Sequence, residues 1–97
     1  MPDVYRQGDV IFRRIERPTF AEKDEDRLEI FGETGKAHVV NAPVYRSGNL
    51  QLLYVEKPTP VEHPDHAIII LPPGTYEVRR TQRLVRAFRR GNRAARD

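Results

Sequence analysis

The chain has 97 residues, enough for one small domain, and 38% hydrophobic and 32% charged residues make it polar for a globular protein. It contains no cysteine, which excludes disulfide bonds and thiolate metal sites. The longest apolar run, residues 67–71, is too short to span a bilayer, and the first residues lack the pattern of a secretory signal. A cytoplasmic protein that does not enter membranes is therefore expected.

Short β-prone segments bounded by turn residues recur along the chain, at residues 10–15, 28–31, 38–40, 44–46, 50–55, 67–71 and 75–79. Ser47-Gly48-Asn49 predicts a hairpin between two of them. The charged stretch 21–27 has no apolar period and is interpreted as a surface loop. Pro58 and Pro60 indicate a break in the chain. The run 67–71 predicts a buried strand, and Pro72-Pro73-Gly74 a bend to an adjacent one.

This spacing predicts a mainly β fold, a small β-barrel or sandwich of six or seven short strands, formed by residues 1–83 as a single domain. Leu84, Val85 and Phe88 fit one helical face, so residues 84–97 are expected to form a short basic C-terminal helix and tail, partly disordered. Exposed strand edges make a homodimer a further expectation.

The charge of the chain is divided unevenly. Residues 79–97 hold eight arginines and one acidic residue, whereas residues 1–78 hold nine basic and thirteen acidic residues. Arginine suits bidentate contacts with phosphates and carboxylates, so this segment predicts binding to nucleic acid or to an acidic protein partner. The contact residues expected for this role are Arg79, Arg80, Arg83, Arg86, Arg89 and Arg90. Pairing with acidic residues of the body is the alternative, and such exposed pairs contribute only about 0–1 kcal/mol each.

All three histidines lie in two short polar segments. His38 follows Gly35-Lys36-Ala37, and His63 and His66 flank Pro64-Asp65. The Pro-Asp pair favours a β-turn, which would bring the two flanking histidines close together. Imidazoles from the two segments would then form a metal site, with Glu62 or Asp65 as a fourth ligand or a supporting group. The alternative is that the histidines are ordinary solvated loop residues, since H-x-x-H in a loop is a weak signal.

Several segments together resemble a family of small bacterial and phage proteins of no established activity. Its pattern runs G-E-x-T-G-H-x-H, then H-x-E-H, then L-P-x-G-x-Y-x-V-x-x-Q-R-E-Y, and it is similar to residues 32–38, 62–66 and 71–83 here. The opening Arg6-Gln7-Gly8-Asp9-Val10 resembles the start of the same family. The resemblance implies that His38, His63 and His66 share one histidine-rich site. Lys36 stands where the pattern has a histidine, so a four-histidine site is lost.

The leading hypothesis is a metal-binding β-domain with His38, His63, His66 and Glu62 as candidate ligands. Zinc is the first choice, because it is redox-inert and accepts a three-histidine set, and another divalent transition metal is the alternative. The second hypothesis is a non-enzymatic adaptor that uses the arginine-rich C-terminal segment. The third is an enzyme in which the metal activates water, and the sequence does not decide whether the protein is an enzyme.

Overall fold

The computed structural model describes residues 3–32 and 35–81, and all regular elements within these ranges are β-strands. The ten strands are β1 (Val4–Gln7), β2 (Val10–Ile15), β3 (Glu22–Glu25), β4 (Leu28–Phe31), β5 (Ala37–Val40), β6 (Val44–Ser47), β7 (Leu50–Val55), β8 (Thr59–His63), β9 (His66–Leu71) and β10 (Gly74–Arg80). The mainly β prediction is confirmed, although there are ten strands rather than six or seven. Residues 84–97, for which a helix is predicted, lie outside the described ranges.

The strands form two antiparallel sheets. One has six strands in the order β1-β2-β10-β7-β6-β3, and the other has four in the order β4-β5-β8-β9. Buried side chains from both sheets form a single hydrophobic cluster, as in a β-sandwich. Both sheets have two end strands, so the described chain is not a closed barrel, and that alternative is wrong. None of its elements is a helix long and apolar enough to cross a membrane.

The core follows the two-residue period of the strands. On β2, Val10 and Phe12 are fully buried, and on β10, Tyr76 and Val78 point to the same core. Burying a side chain of this size stabilises the fold by about 1.5–3 kcal/mol. The hydroxyl of Tyr76 donates a hydrogen bond to the Pro72 carbonyl at 2.6 Å, so its polar end is satisfied inside the sandwich.

Three strands lie where the sequence predicts none, and each has a physical reason. β1 is a four-residue strand before the Gly8-Asp9 turn, too short to show a period. β3 is charged and its four residues are all exposed, because it lies at the edge of the six-stranded sheet and pairs only with β6. β8 contains Pro60, which has no N–H to donate to a neighbouring strand. β8 pairs with β5 only through Val61 and Glu62, so at Pro60 its only neighbour among the described strands is β9, and the missing N–H is tolerated there.

The run 67–71 is a strand as predicted, but it is not buried on both faces. β9 is an end strand of the four-stranded sheet, and Ile68 and Ile70 are 58% and 51% exposed. Leu71, on the opposite face, is fully buried in the core. The bend Pro72–Gly74 joins β9 to β10, which belong to different sheets, so these strands are not adjacent.

Candidate metal centre

The three histidines converge at one place. Each offers a ring nitrogen, and the three nitrogens lie within 4.8 Å of one another. The ring centroids of His38 and His63 are 4.4 Å apart, those of His63 and His66 are 4.6 Å apart, and those of His38 and His66 are 5.7 Å apart. His38 is buried, His63 is half-buried and His66 is exposed, so the cluster opens to solvent on one side. Three histidines so placed can hold a metal ion.

The strand pairing explains this convergence. His63 and His66 are cross-strand partners at the end of the β8–β9 hairpin, with Pro64-Asp65 in the turn, which confirms the predicted turn. β5 pairs with β8 through Val39 and Glu62. One residue further along the same register, His38 lies opposite His63. The cluster is therefore built from three neighbouring strands of the four-stranded sheet.

Gln7 fixes the orientation of His38. Its side-chain nitrogen donates to the carbonyls of Val61 at 2.8 Å and Ala67 at 2.9 Å, which uses both amide hydrogens. Its oxygen therefore accepts from His38 Nδ1, 2.8 Å away. In the neutral ring, Nδ1 then carries the hydrogen and Nε2 carries the free lone pair that a metal ion needs.

Burial keeps His38 in the form that binds metal. Desolvation is the main cause that lowers its pKa below the ordinary value of 6.5, and the neighbouring His63 adds to the effect. Asp9 acts in the opposite direction but does not reverse the shift. His38 is therefore neutral at pH 7, and its lone pair is available without the loss of a proton.

The turn residue Asp65 interacts with two neighbours. Its backbone N–H donates to His63 Nδ1 at 3.0 Å, and both of its carboxylate oxygens are 3.1 Å from Lys36 Nζ. The hydrogen bond from Lys36 lowers the pKa of this carboxyl group. A metal ion on His63 would break the hydrogen bond from the Asp65 N–H to Nδ1. Nδ1 would either bind the metal itself or, with the metal on Nε2, carry the ring hydrogen, and in neither case could it accept.

The β1–β2 turn covers the cluster from the six-stranded sheet. Gly8 has a φ of +60°, and a Cβ atom at this position would lie 2.7 Å from His66 Nε2. The next residue, Asp9, places Oδ1 3.5 Å from His38 Nε2 and Oδ2 3.5 Å from Arg80 Nε. Gln7, Gly8 and Asp9 are not among the site residues that the sequence predicts. The signal for them was the resemblance of residues 6–10 to the start of the family pattern.

Glu62 does not join the three histidines in the group of mutually close ligand atoms. Its side chain is exposed, and it borders a shallow pocket of about 490 Å³ together with His63, Val39 and Ile68. The structure thus brings the three predicted histidines together and leaves the predicted carboxylate of Glu62 outside the cluster.

The arginines expected to bind nucleic acid or an acidic partner are only partly within the described residues. Arg79 Nε lies 3.8 Å from Glu77 Oε2, and Arg80 contacts Asp9 and donates to the Phe31 carbonyl. The remaining four, Arg83, Arg86, Arg89 and Arg90, lie outside the described ranges. Binding of these arginines to an anionic partner stays a prediction.

Comparison with known proteins identifies a matching family model. The model of the family described as "Domain of unknown function (DUF8820)" matches residues 6–81, more than three quarters of the chain. This range includes the three histidines together with Gln7 and Asp9. No curated protein and no solved structure matches the chain. The chain belongs to the family of this domain of unknown function, DUF8820.

Proposed function

We propose that this domain binds one divalent transition-metal ion, zinc in the first place, through His38, His63 and His66. The observation that carries the proposal is the meeting of three imidazole nitrogens within 4.8 Å of one another at the end of the β8–β9 hairpin. The three residues come from separate strands, and one is buried and oriented by Gln7. Histidines that were only solvated loop residues would not need that arrangement.

The dimensions of the cluster support an ion of this class. An ion at the centre of a triangle with sides of 4.8 Å lies roughly 2.8 Å from each corner, whereas zinc–imidazole bonds are about 2.0–2.1 Å. Small rotations of the half-buried ring of His63 and the exposed ring of His66 can close that difference. Neutral imidazole also binds copper, nickel and ferrous iron. Zinc is preferred because it is redox-inert and accepts a three-histidine set.

The binding test is a zinc titration of the metal-free full-length chain, followed by calorimetry, for the parent protein and a His66→Ala variant. The parent protein should bind one equivalent. Removing a residue that only hydrogen-bonds to a metal ligand weakens metal binding by about 10–100-fold. Removing a ligand itself should therefore weaken zinc binding by more than about 100-fold. His66 is exposed, so its removal should leave the metal-free fold intact.

Asn49→Ala is the matched control, because Asn49 is an exposed polar residue in another hairpin turn, between β6 and β7. It should bind zinc as the parent protein does. Thermal melts of the metal-free proteins separate loss of a ligand from loss of the fold. A folded His66→Ala variant with parental zinc affinity would remove His66 from the site, and a parent protein that binds no transition metal would refute the proposal.

A further inference from the structure

The Asp9 carboxylate lies between the histidine cluster and Arg80. Oδ1 is 3.5 Å from His38 Nε2, and Oδ2 is 3.5 Å from Arg80 Nε. We propose that Asp9 is the fourth ligand of the metal ion, through Oδ1, and that Arg80 is a positioning residue that orients the carboxylate. This inference rests on the proposed function, since it completes the same site.

The distance between Asp9 and His38 is that of two ligands on one ion. For bonds of about 2.0–2.1 Å in a tetrahedral site, neighbouring ligand atoms are roughly 3.3–3.4 Å apart. Because Gln7 accepts the hydrogen of His38 Nδ1, Nε2 of the neutral ring faces the carboxylate with a lone pair. Two lone-pair atoms that face each other are stabilised by a cation held between them.

The surroundings of Asp9 hold it in this orientation. Its backbone carbonyl accepts a hydrogen bond of 2.8 Å from the N–H of Thr81, and Arg80 is itself anchored by donating to the Phe31 carbonyl. The end of β10 therefore fixes both the backbone and the second carboxylate oxygen of Asp9. A ligating carboxylate with its other oxygen bound by a neighbour is a common support of metal sites.

The other acidic residues near the cluster are less suited to this role. Both oxygens of Asp65 are bound by Lys36. Glu62 pairs with Val39 on β5, so its side chain lies on the opposite face of β8 from His63. Three imidazoles and one carboxylate would fill the four positions of a tetrahedral zinc site. Such a closed site holds an ion for stability or regulation, whereas a catalytic zinc site keeps one position for water.

The test compares Asp9→Asn with Asp65→Asn, a substitution of the same chemistry on the other side of the cluster. Zinc affinity should fall by more than about 100-fold in Asp9→Asn, as expected for loss of a ligand, and change by less than about threefold in Asp65→Asn. Arg80→Gln keeps the Asp9 ligand but removes its support. The loss of zinc affinity in this variant should lie between the losses in the other two. Thermal melts of the metal-free variants confirm that each is folded.

Cobalt(II) substituted for zinc gives a second readout, the visible spectrum of the bound ion. In a closed four-ligand site, the visible spectrum of the cobalt protein should not change when azide is added. In Asp9→Asn the position opens, and azide should shift the spectrum.

If the parent protein binds metal but Asp9→Asn binds it equally well, or if azide alters the parental spectrum, Asp9 is not a ligand and the three-histidine proposal still stands. If the parent protein binds no metal, both proposals fail.

Discussion

His38 is the histidine that its surroundings constrain most. It is buried, its Nδ1 is bound by Gln7, and its Nε2 faces Asp9. A buried imidazole with one orientation and one free lone pair can accept a cation without rearranging. The other two histidines are more exposed and can adjust to the ion.

The lowered pKa of His38 predicts how the stability of the metal-free protein depends on pH. Its pKa is below 6.5 in the folded protein and near 6.5 when unfolded, so the unfolded chain binds more protons between these two values. The stabilising contribution is complete above pH 6.5, and the free energy of unfolding should fall as the pH drops through that value. The slope for one proton is at most about 1.4 kcal/mol per pH unit.

Urea unfolding between pH 7.5 and 5.5 in the presence of a chelator measures this slope, and the ring proton resonances of His38 give its pKa directly. His66→Ala retains His38, so its free energy of unfolding should also fall as the pH drops. An unfolding free energy that does not change over this range, or a His38 pKa at or above 6.5, would contradict the account.

The residues of the site differ in how far the sequence reveals them. His63 and His66 could be paired from a four-residue turn, because their contact is local. Gln7 is separated by 31 residues from His38 and by 54 from Val61, and only the folded sheets bring them together. Glu62 was expected beside the ion because it precedes His63, but successive residues of a strand point to opposite faces.

At the scale of single elements, the β1–β2 turn determines how closely the six-stranded sheet approaches the cluster. Gly8 and Gly48 have almost the same φ, +60° and +61°, but a Cβ at Gly8 meets His66 whereas a Cβ at Gly48 meets nothing within 4 Å. Both alanine variants should lose about 1–2 kcal/mol from the left-handed backbone conformation. Gly8→Ala should lose more, because the ring of His66 must move, and it should also bind zinc more weakly.

Chemical denaturation and zinc titration of Gly8→Ala and Gly48→Ala separate these two effects. The destabilisation of Gly48→Ala measures only the cost of placing alanine in the left-handed backbone conformation, and this variant should keep parental zinc affinity. Equal destabilisation of the two variants, with unchanged zinc binding in both, would show that the β1–β2 turn does not hold the cluster.

Elements with strong local signals were predicted well from the sequence. The hairpin of β6 and β7 across Ser47–Asn49 is confirmed, as is the strand Val10–Ile15. The charged strand β3 was expected to be a loop, because its four exposed residues bury no apolar face. Its pairing with β6 depends on backbone hydrogen bonds, which the pattern of hydrophobic residues does not predict.

At the scale of the whole molecule, Gln7 connects the two sheets. From β1 of the six-stranded sheet, its side chain binds Val61 on β8, Ala67 on β9 and His38 on β5 of the other sheet. The sequence could not indicate such a contact, because it gives the strands but not which edges of the two sheets meet. Because the sequence does not show which strand edges meet, it also did not decide between a barrel and a sandwich.

Replacing Gln7 with leucine should destabilise the fold by at least about 3 kcal/mol. The variant leaves two carbonyl groups and the His38 Nδ1–H without their partner, and an unsatisfied buried polar group costs about 1–3 kcal/mol. Gln51→Leu, a half-exposed glutamine on β7, is the matched control and should change stability by less than about 0.5 kcal/mol. Urea denaturation gives both values, and similar small losses in the two variants would contradict the role of Gln7.

On the proposed function, the two sheets together hold one metal ion at the histidine cluster. The most direct test of this function is elemental mass spectrometry of the purified, tag-free protein before and after chelator dialysis and after zinc is added back. We predict about one equivalent of a transition metal per chain, lost on dialysis and restored by zinc. A chain that retains no transition metal and takes up none after zinc is added would contradict the account.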